Sequence, residues 1–328
     1  MPQRSAAVTR LAWATLVANL FVILWGAWVR ASGSGAGCGN HWPTCNGTVI
    51  PQSPTMHTIV EFTHRVSSGL ALLLVIALVL ATRRAFAPGH RARRAAVVSF
   101  ILICVETGIG AGLVKFELVA SNATLVRGVS LGIHLVNTQF LLTAIAMTAW
   151  WASGRGPFTP ARARRFRAAF LLAFMALIAV GMAGAMASLG DTLFPARTLA
   201  EGMAQDRNPA LNVLLHIRVW HPVLAVITGL GLFVLVSRVL QVDDRAATRR
   251  AAMQVSAAVG AQWCVGASAL LLLVPVPLQL LHLLTADLLW LSVVWLAATV
   301  SSDQEAWTLD ATSAAIAGSN SVPAPAST

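Results

Sequence analysis

Four of the eight histidines, His64, His134, His221 and His282, each lie near the start of a long apolar run. Imidazole is the commonest metal ligand. Ionisable or metal-binding side chains inside apolar runs are costly and tend to mark function. A single such histidine is most simply a hydrogen-bonded residue inside a helix bundle. Four in a repeated pattern point instead to metal or haem ligation. Zinc would prefer a tight cluster of nitrogen and sulfur ligands. Two histidines on separate helices, repeated twice, suit two axially ligated haems.

Beside the first of these stands an acid. Glu61-Phe62-Thr63-His64-Arg65 puts a carboxylate, an imidazole and a guanidinium within five residues, at the mouth of the run from Val66 to Ala81. Glu61 and His64 are three apart and share one face of a helix. The structural alternative for Glu61 is an i,i+4 ion pair with Arg65, worth a few tenths of a kcal/mol, about 0.2–0.5, if exposed.

The elements that must carry these residues are membrane helices. Of 328 residues, 57% are hydrophobic and 11% charged, and mean hydropathy is +0.72. A soluble domain carries about 25% charged residues. Eight spans are expected, at roughly 11–30, 59–82, 96–114, 128–151, 169–188, 213–238, 253–274 and 279–300. The first is long enough to span and is read as a helix of the mature protein. Net charge is +11. Its basic residues fall in loops, which argues for membrane topology and against nucleic acid. The N-terminus and loops 83–95, 152–168 and 239–252 hold 15 basic residues against 4 in the alternate loops. The positive-inside rule then puts both termini in the cytoplasm.

Histidine and cysteine positions suggest an internal duplication. His64 is followed 40 residues later by Cys104, and His221 is followed 43 residues later by Cys264. The expectation is an all-α integral membrane protein of eight helices. They would form two tandem four-helix bundles, related by a pseudo-twofold along the membrane normal. Residues 1–152 make the first half, 153–300 the second, and 301–328 a disordered cytoplasmic tail. Spans 2, 4, 6 and 8 run the same way, so all four histidines lie within roughly 12 Å of the outer ends of their helices.

His41, His57, His90 and His216 are weaker candidates, as surface or supporting residues. Glu106, Asn137, Gln139, Gln262 and Asp287 read as interhelical hydrogen-bonding groups, and Cys104 and Cys264 as small packing residues. In the outer loop, Cys38 and Cys45 are separated by six residues. They admit a disulfide, free thiols, or a metal pair with His41; the outer compartment favours the disulfide.

Taken together these motifs resemble the haem A synthase family. They are Arg30-x-x-Gly-Ser-Gly-x-x-Cys38 leading to Trp42-Pro-x-Cys45-x-Gly47, then Glu61-x-x-His64-Arg65, His134-Leu-Val-Asn-Thr, and Leu281-His282-Leu-Leu-Thr-Ala-Asp287. The resemblance covers nearly the whole chain. It implies oxidation of a methyl group of haem O to a formyl group, by successive hydroxylations, giving haem A for terminal oxidases. Carried over, His221 and His282 ligate haem b, and His64 and His134 face or ligate the substrate, haem O. Glu61 matches the family's functional acid, and Cys38 and Cys45 its outer-loop pair. Expected partners are a haem O synthase (a farnesyltransferase), terminal oxidase assembly, an unidentified electron donor and, at the level of quaternary structure, a second copy of the chain. The implied location is the bacterial inner membrane. Two departures stand out. The second half has His221-Pro222 where the family usually has His-Arg. Loop 189–212 lacks the cysteine pair that some relatives carry, so packing alone is expected to hold it.

The halves also differ three residues before their first histidine, Glu61 in one and Arg218 in the other. A carboxylate near a haem edge could stabilise developing positive charge or relay protons. Arginines such as Arg30, Arg65 and Arg218 could pair with haem propionates or support the ligands. This places chemistry in the first half and electron transfer in the second. Two other classes compete. A di-haem cytochrome b would only transfer electrons, for example with quinone. A transporter would have no need of four histidines at one depth.

Overall fold

The computed structural model describes residues 4–302 apart from Pro157. The expected tail lies, from 303 onward, outside the described residues. Ten α-helices account for most of the rest: α1 (Ala6–Ala31), α2 (Met56–Ala85), α3 (Arg91–Lys115), α4 (Leu125–Ala152), α5 (Pro160–Leu193), α6 (Leu199–Arg207), α7 (Val213–Arg218), α8 (Trp220–Leu240), α9 (Ala246–Leu271) and α10 (Val276–Ser301). No strand forms among the described residues; two isolated bridges pair Cys45 with Thr48 and Phe158 with Ser302. The helices overrun the apolar spans because their ends are capped by polar residues. Ser5, Thr55, Thr124 and Asn212 each accept a backbone N–H from the first turn that follows.

Seven helical segments are long and apolar enough to cross a membrane, with α7 and α8 counted as one run from Val213 to Leu240. The chain is a multi-pass membrane protein. The segment expected as the seventh span, now α9, is 26 residues long but falls outside that set. Gln254, Ser256, Gln262 and Ser268 interrupt its apolar stretch. The α7–α8 break has a local cause. Pro222 has no N–H to give the carbonyl of Arg218, so the ladder opens at Val219, two residues before His221.

Burial is organised in two apolar cores. One gathers Leu16, Val75, Leu78, Ile103, Leu142 and Ile145 from α1–α4. The other gathers Leu232, Val255, Val259, Val293 and Leu296, with Phe170 of α5. A third cluster, including Trp150 of α4 with Trp290 and Val294 of α10, joins them. There Arg155 lies 4.4 Å from the Trp150 ring and 4.6 Å from that of Trp295. Many large apolar side chains point outward, among them Val17, Leu70, Leu172 and Ile227, the surface a hydrocarbon solvent requires.

Candidate functional site

The loop after α1 is docked onto the start of α2. Gly37 lies so close that a Cβ there would sit 2.3 Å from the His57 carbonyl oxygen, and Thr58 Oγ1 donates to the Gly37 carbonyl at 2.9 Å. Cys38 and Cys45 form a disulfide, and both are buried. The Cys38 N–H donates to Glu61 Oε2 at 2.8 Å. The other oxygen of Glu61 pairs with the Arg65 guanidinium, which also donates to the carbonyls of His41 and Thr44, both at 2.7 Å. Glu61 and Arg65 are largely buried, with side-chain exposures of 4% and 13%. The i,i+4 pair is therefore real, and it belongs to a sequestered clamp holding the disulfide loop over the first turns of α2.

His64 packs against α1. A Cβ on Gly26 would fall 3.0 Å from His64 Cε1. Two other histidines are packed in the same way: a Cβ on Gly184 of α5 would fall 2.8 Å from His221 Cε1, and one on Gly266 of α9 would fall 2.9 Å from His282 Cε1. Glycine thus clears the space beside three of the four rings. The rings of His221 and His282 stand 6.0 Å apart at 89°. His221 Nδ1 donates to the Val180 carbonyl at 3.2 Å, leaving its Nε2 as the lone-pair nitrogen. Two metal–nitrogen bonds of about 2 Å each, with the two ring radii, fill a gap of that size. Buried ring nitrogens that make no hydrogen bond occur at His64, His134 and His282, in each case Nδ1, although that of His134 lies within ion-pair distance of a carboxylate. A buried polar atom without a partner is costly. These residues therefore fit a pairwise-ligated haem. Among the described residues no three His, Cys, Asp or Glu side chains converge as a metal site.

His134 differs from His282 in its neighbour. Its Nδ1 lies 3.4 Å from Glu106 Oε1 on α3. Glu106 also accepts from the Thr138 hydroxyl and, at 2.5 Å, from Asn137 Nδ2. His282 instead meets Gln262 through its other ring nitrogen: Gln262 Nε2 lies 3.2 Å from His282 Nε2, while Gln262 Oε1 accepts from Thr285. Between the halves, Gln139 Nε2 donates to Asp287 Oδ1 at 2.7 Å. The interhelical bonding expected of these five polar residues is what they do.

Arg218 is placed differently from the expectation for its loop. It donates to Asp206 at 2.6 Å, to Asp191 at 2.9 Å, and to Gly202 and Gln205 at 3.2 Å. Loop 189–212 is therefore held by an ion-pair hub, with α6 folded inside it, and not by packing alone. Arg218 does for its loop what Arg65 does for the disulfide loop. Arg30 retains a fully buried Nη1 without a partner. Nearby, Arg127 donates to the carbonyls of Ala120 and Asn122 at 2.7 and 2.8 Å while its Nε has no partner. His57 bonds Ser34 at 3.0 Å, His216 the Asn208 carbonyl at 3.0 Å, and His90 caps α3 at 3.2 Å. All three are supporting residues. Cys104 and Cys264 are free and exposed on helix surfaces, so they do not pack inside as expected.

The sequence profile of the COX15-CtaA family, described as cytochrome oxidase assembly protein, matches residues 9–294. A Thermus thermophilus protein named protoheme IX farnesyltransferase is 45% identical over 286 residues, which is 87% of this chain and 47% of that protein. The heme A synthase of Geobacillus kaustophilus is 38% identical over 129 residues, 39% of each chain. That of Bacillus licheniformis is 34% identical over 137 residues, 41% of this chain and 44% of the relative. The chain spans about half the length of the curated relatives it matches most extensively. A match running from α1 into α10, together with the disulfide loop and the four helix-borne histidines, makes this chain a member of the cytochrome oxidase assembly protein family.

Proposed function

We propose that the chain is a haem A synthase, converting a methyl group of haem O to a formyl group by successive hydroxylations. The observation that carries this reading is the set of four histidines. They sit one each on α2, α4, α8 and α10, with glycine opposite three rings and, on three, buried nitrogens that make no hydrogen bond. Its eight helices would act as two four-helix halves, residues 1–152 and 153–300, with α9 serving as the eighth span. His221 and His282 would hold haem b, which supplies single-electron transfer. His64 and His134 would receive haem O as substrate.

The chain's own residues then divide the work. His221 Nδ1 is anchored on Val180, which orients the ring and leaves Nε2 for the iron. Gly26, Gly184 and Gly266 let the ligand-bearing helices pack close without displacing the rings. The disulfide loop, drawn down by Glu61 and Arg65, covers the start of α2 and keeps water from the first site. Glu61 lies one helical turn from His64 and is the acid nearest to it along α2. As the proposed catalytic acid it would stabilise positive charge on the oxidised carbon or pass protons outward. Arg30, with an unpartnered buried nitrogen, is the arginine best disposed to meet a carboxylate such as a haem propionate. Arg65 and Arg218 act one step removed, by fixing the loops.

We place the protein in the bacterial inner membrane with both termini cytoplasmic, on the distribution of basic residues. A farnesyltransferase making haem O is the proposed supplier, terminal oxidase assembly the consumer. The Thermus relative is named for protohaem farnesylation and is about twice as long as the stretch it shares with this chain, which supports the first pairing.

The test is porphyrin analysis of purified protein co-expressed with a haem O source. Haem A and hydroxylated haem O are expected with the native chain. Glu61→Gln should retain its haem complement and form no haem A. Protohaem alone, filling both sites, would overturn the reading in favour of an electron-transfer cytochrome b.

A further inference from the structure

The two halves present different chemistry to the second histidine of each pair. In the first half a carboxylate, Glu106, faces His134 at 3.4 Å. In the second a carboxamide, Gln262, sets its Nε2 3.2 Å from the other ring nitrogen, Nε2 of His282, and Nδ1 of His282 has no hydrogen-bond partner. Part of the surroundings matches. A threonine on the next turn, Thr138 or Thr285, donates to the α3 or α9 side chain. Four residues further along those helices stand Gly110 and Gly266. Both the polarity of the contact and the ring nitrogen it reaches change. Gln262 takes the Thr285 hydroxyl on its oxygen and turns its NH2 to Nε2 of His282, so no acceptor holds Nδ1 of that ring. A carboxylate only accepts. Glu106 takes Thr138 and Asn137 on its two oxygens and leaves Oε1 facing Nδ1 of His134. That nitrogen must carry the proton, and Nε2 is left as the lone-pair nitrogen.

We propose that Glu106 is a positioning residue for the first-half haem, fixing the His134 tautomer and strengthening Nε2 as an iron donor, a setting that the second half lacks at Gln262. The inference rests on the haem reading of His134. A histidine whose other N–H is held by a carboxylate is a more basic ligand, and a more basic ligand favours ferric over ferrous iron. The first-half iron is therefore harder to reduce than a carboxamide neighbour would make it.

The experiment uses the full-length protein in detergent, loaded with protohaem as probe, with spectroelectrochemical titration of both haems. Partners of this kind typically change metal-ligand behaviour by 10–100-fold. Glu106→Gln should shift the ferric preference of one haem by about tenfold, raising its potential by about 59 mV for a one-electron couple. The other haem should be unmoved. Glu106→Asp should restore most of the native value. A merely structural role for Glu106 would move no potential. Unchanged potentials in Glu106→Gln, while bound haem still depends on His134, would overturn this inference and leave the haem reading standing. Protohaem binding in the first half that is indifferent to His134 would overturn both.

Discussion

Removing Arg65 tests whether the clamp over α2 is energetic or incidental. Arg65→Met deletes the partner of a buried carboxylate and strips donors from the His41 and Thr44 carbonyls. Breaking a buried pair by truncating one partner costs roughly 3–5 kcal/mol. Arg65 retains 13% exposure, so about 3 kcal/mol is the appropriate end of that range. At about 1.4 kcal/mol per tenfold, the open state of the loop should become about a hundred times more populated. The disulfide reports on this directly. Cys38 and Cys45 are 0% and 1% exposed, so a soluble reductant must wait for the loop to open. Reduction rates can be followed by trapping the thiols with an alkylating agent and weighing the protein. We expect Arg65→Met to speed reduction by about two orders of magnitude. Glu61→Gln/Arg65→Met should recover much of that loss, since no uncompensated charge remains and the glutamine oxygen can still accept the Cys38 N–H. A native reduction rate in Arg65→Met would refute the assignment of the loop's closure to this pair.

Gly184→Ala would place a methyl carbon 2.8 Å from His221 Cε1, inside the ordinary contact of about 3.5–4.0 Å. If His221 and His282 hold haem as proposed, it should weaken haem retention there by about tenfold or more, read from the pyridine haemochrome. Gly260→Ala, where nothing lies within 4 Å, should not, and equal haem content in the two variants would sink the packing argument. Asp243, between α8 and α9, is pushed up by burial, but bonds from Arg245 and Thr248 and the charge of Arg245 outweigh this and hold it below the usual carboxylate range. Its stabilising contribution is complete above about pH 4, the unfolded value, and is lost as pH falls through the lower folded value. Asp243→Asn should flatten the acid limb of thermal stability in detergent, and an unaltered limb would contradict this. Arg155→Gln should cost about 1 kcal/mol of resistance to denaturant by removing the guanidinium from the Trp150 and Trp295 faces; native resistance would show the stacking to be idle.

What could be read from the sequence was what repeats or what water forbids. The apolar runs that become membrane-length helices follow from the cost of polar groups in hydrocarbon. What could not be read depended on partners far apart in the chain. Glu61 and Arg218 occupy equivalent positions before His64 and His221, which suggested opposite charges at two haem edges. In three dimensions Arg218 meets Asp191 and Asp206 and plays the part of Arg65. Only the fold of loop 189–212, with α6 inside it, could reveal that. Glu106 was visible as an acid in an apolar run. Its contact with His134 depends on the rotation of α3 against α4, which a helical period alone does not fix. The weak apolar character of α9 follows from the polar residues, Gln262 among them, that it brings to His282.

The bond between Gln139 and Asp287 has a geometric consequence. Each residue stands five positions beyond a histidine, Gln139 after His134 and Asp287 after His282. On parallel helices that is the same rise, about 7.5 Å in each. The bond therefore acts as a depth gauge between α4 and α10, levelling one histidine against the other. Sliding either helix by a single turn would displace the two imidazoles by about 5.4 Å and strand Asp287 without its donor. The relative depth of α4 and α10 is thus held by this buried bond, together with the one from Trp290 Nε1 to Thr143 Oγ1 at 2.8 Å further along the same seam.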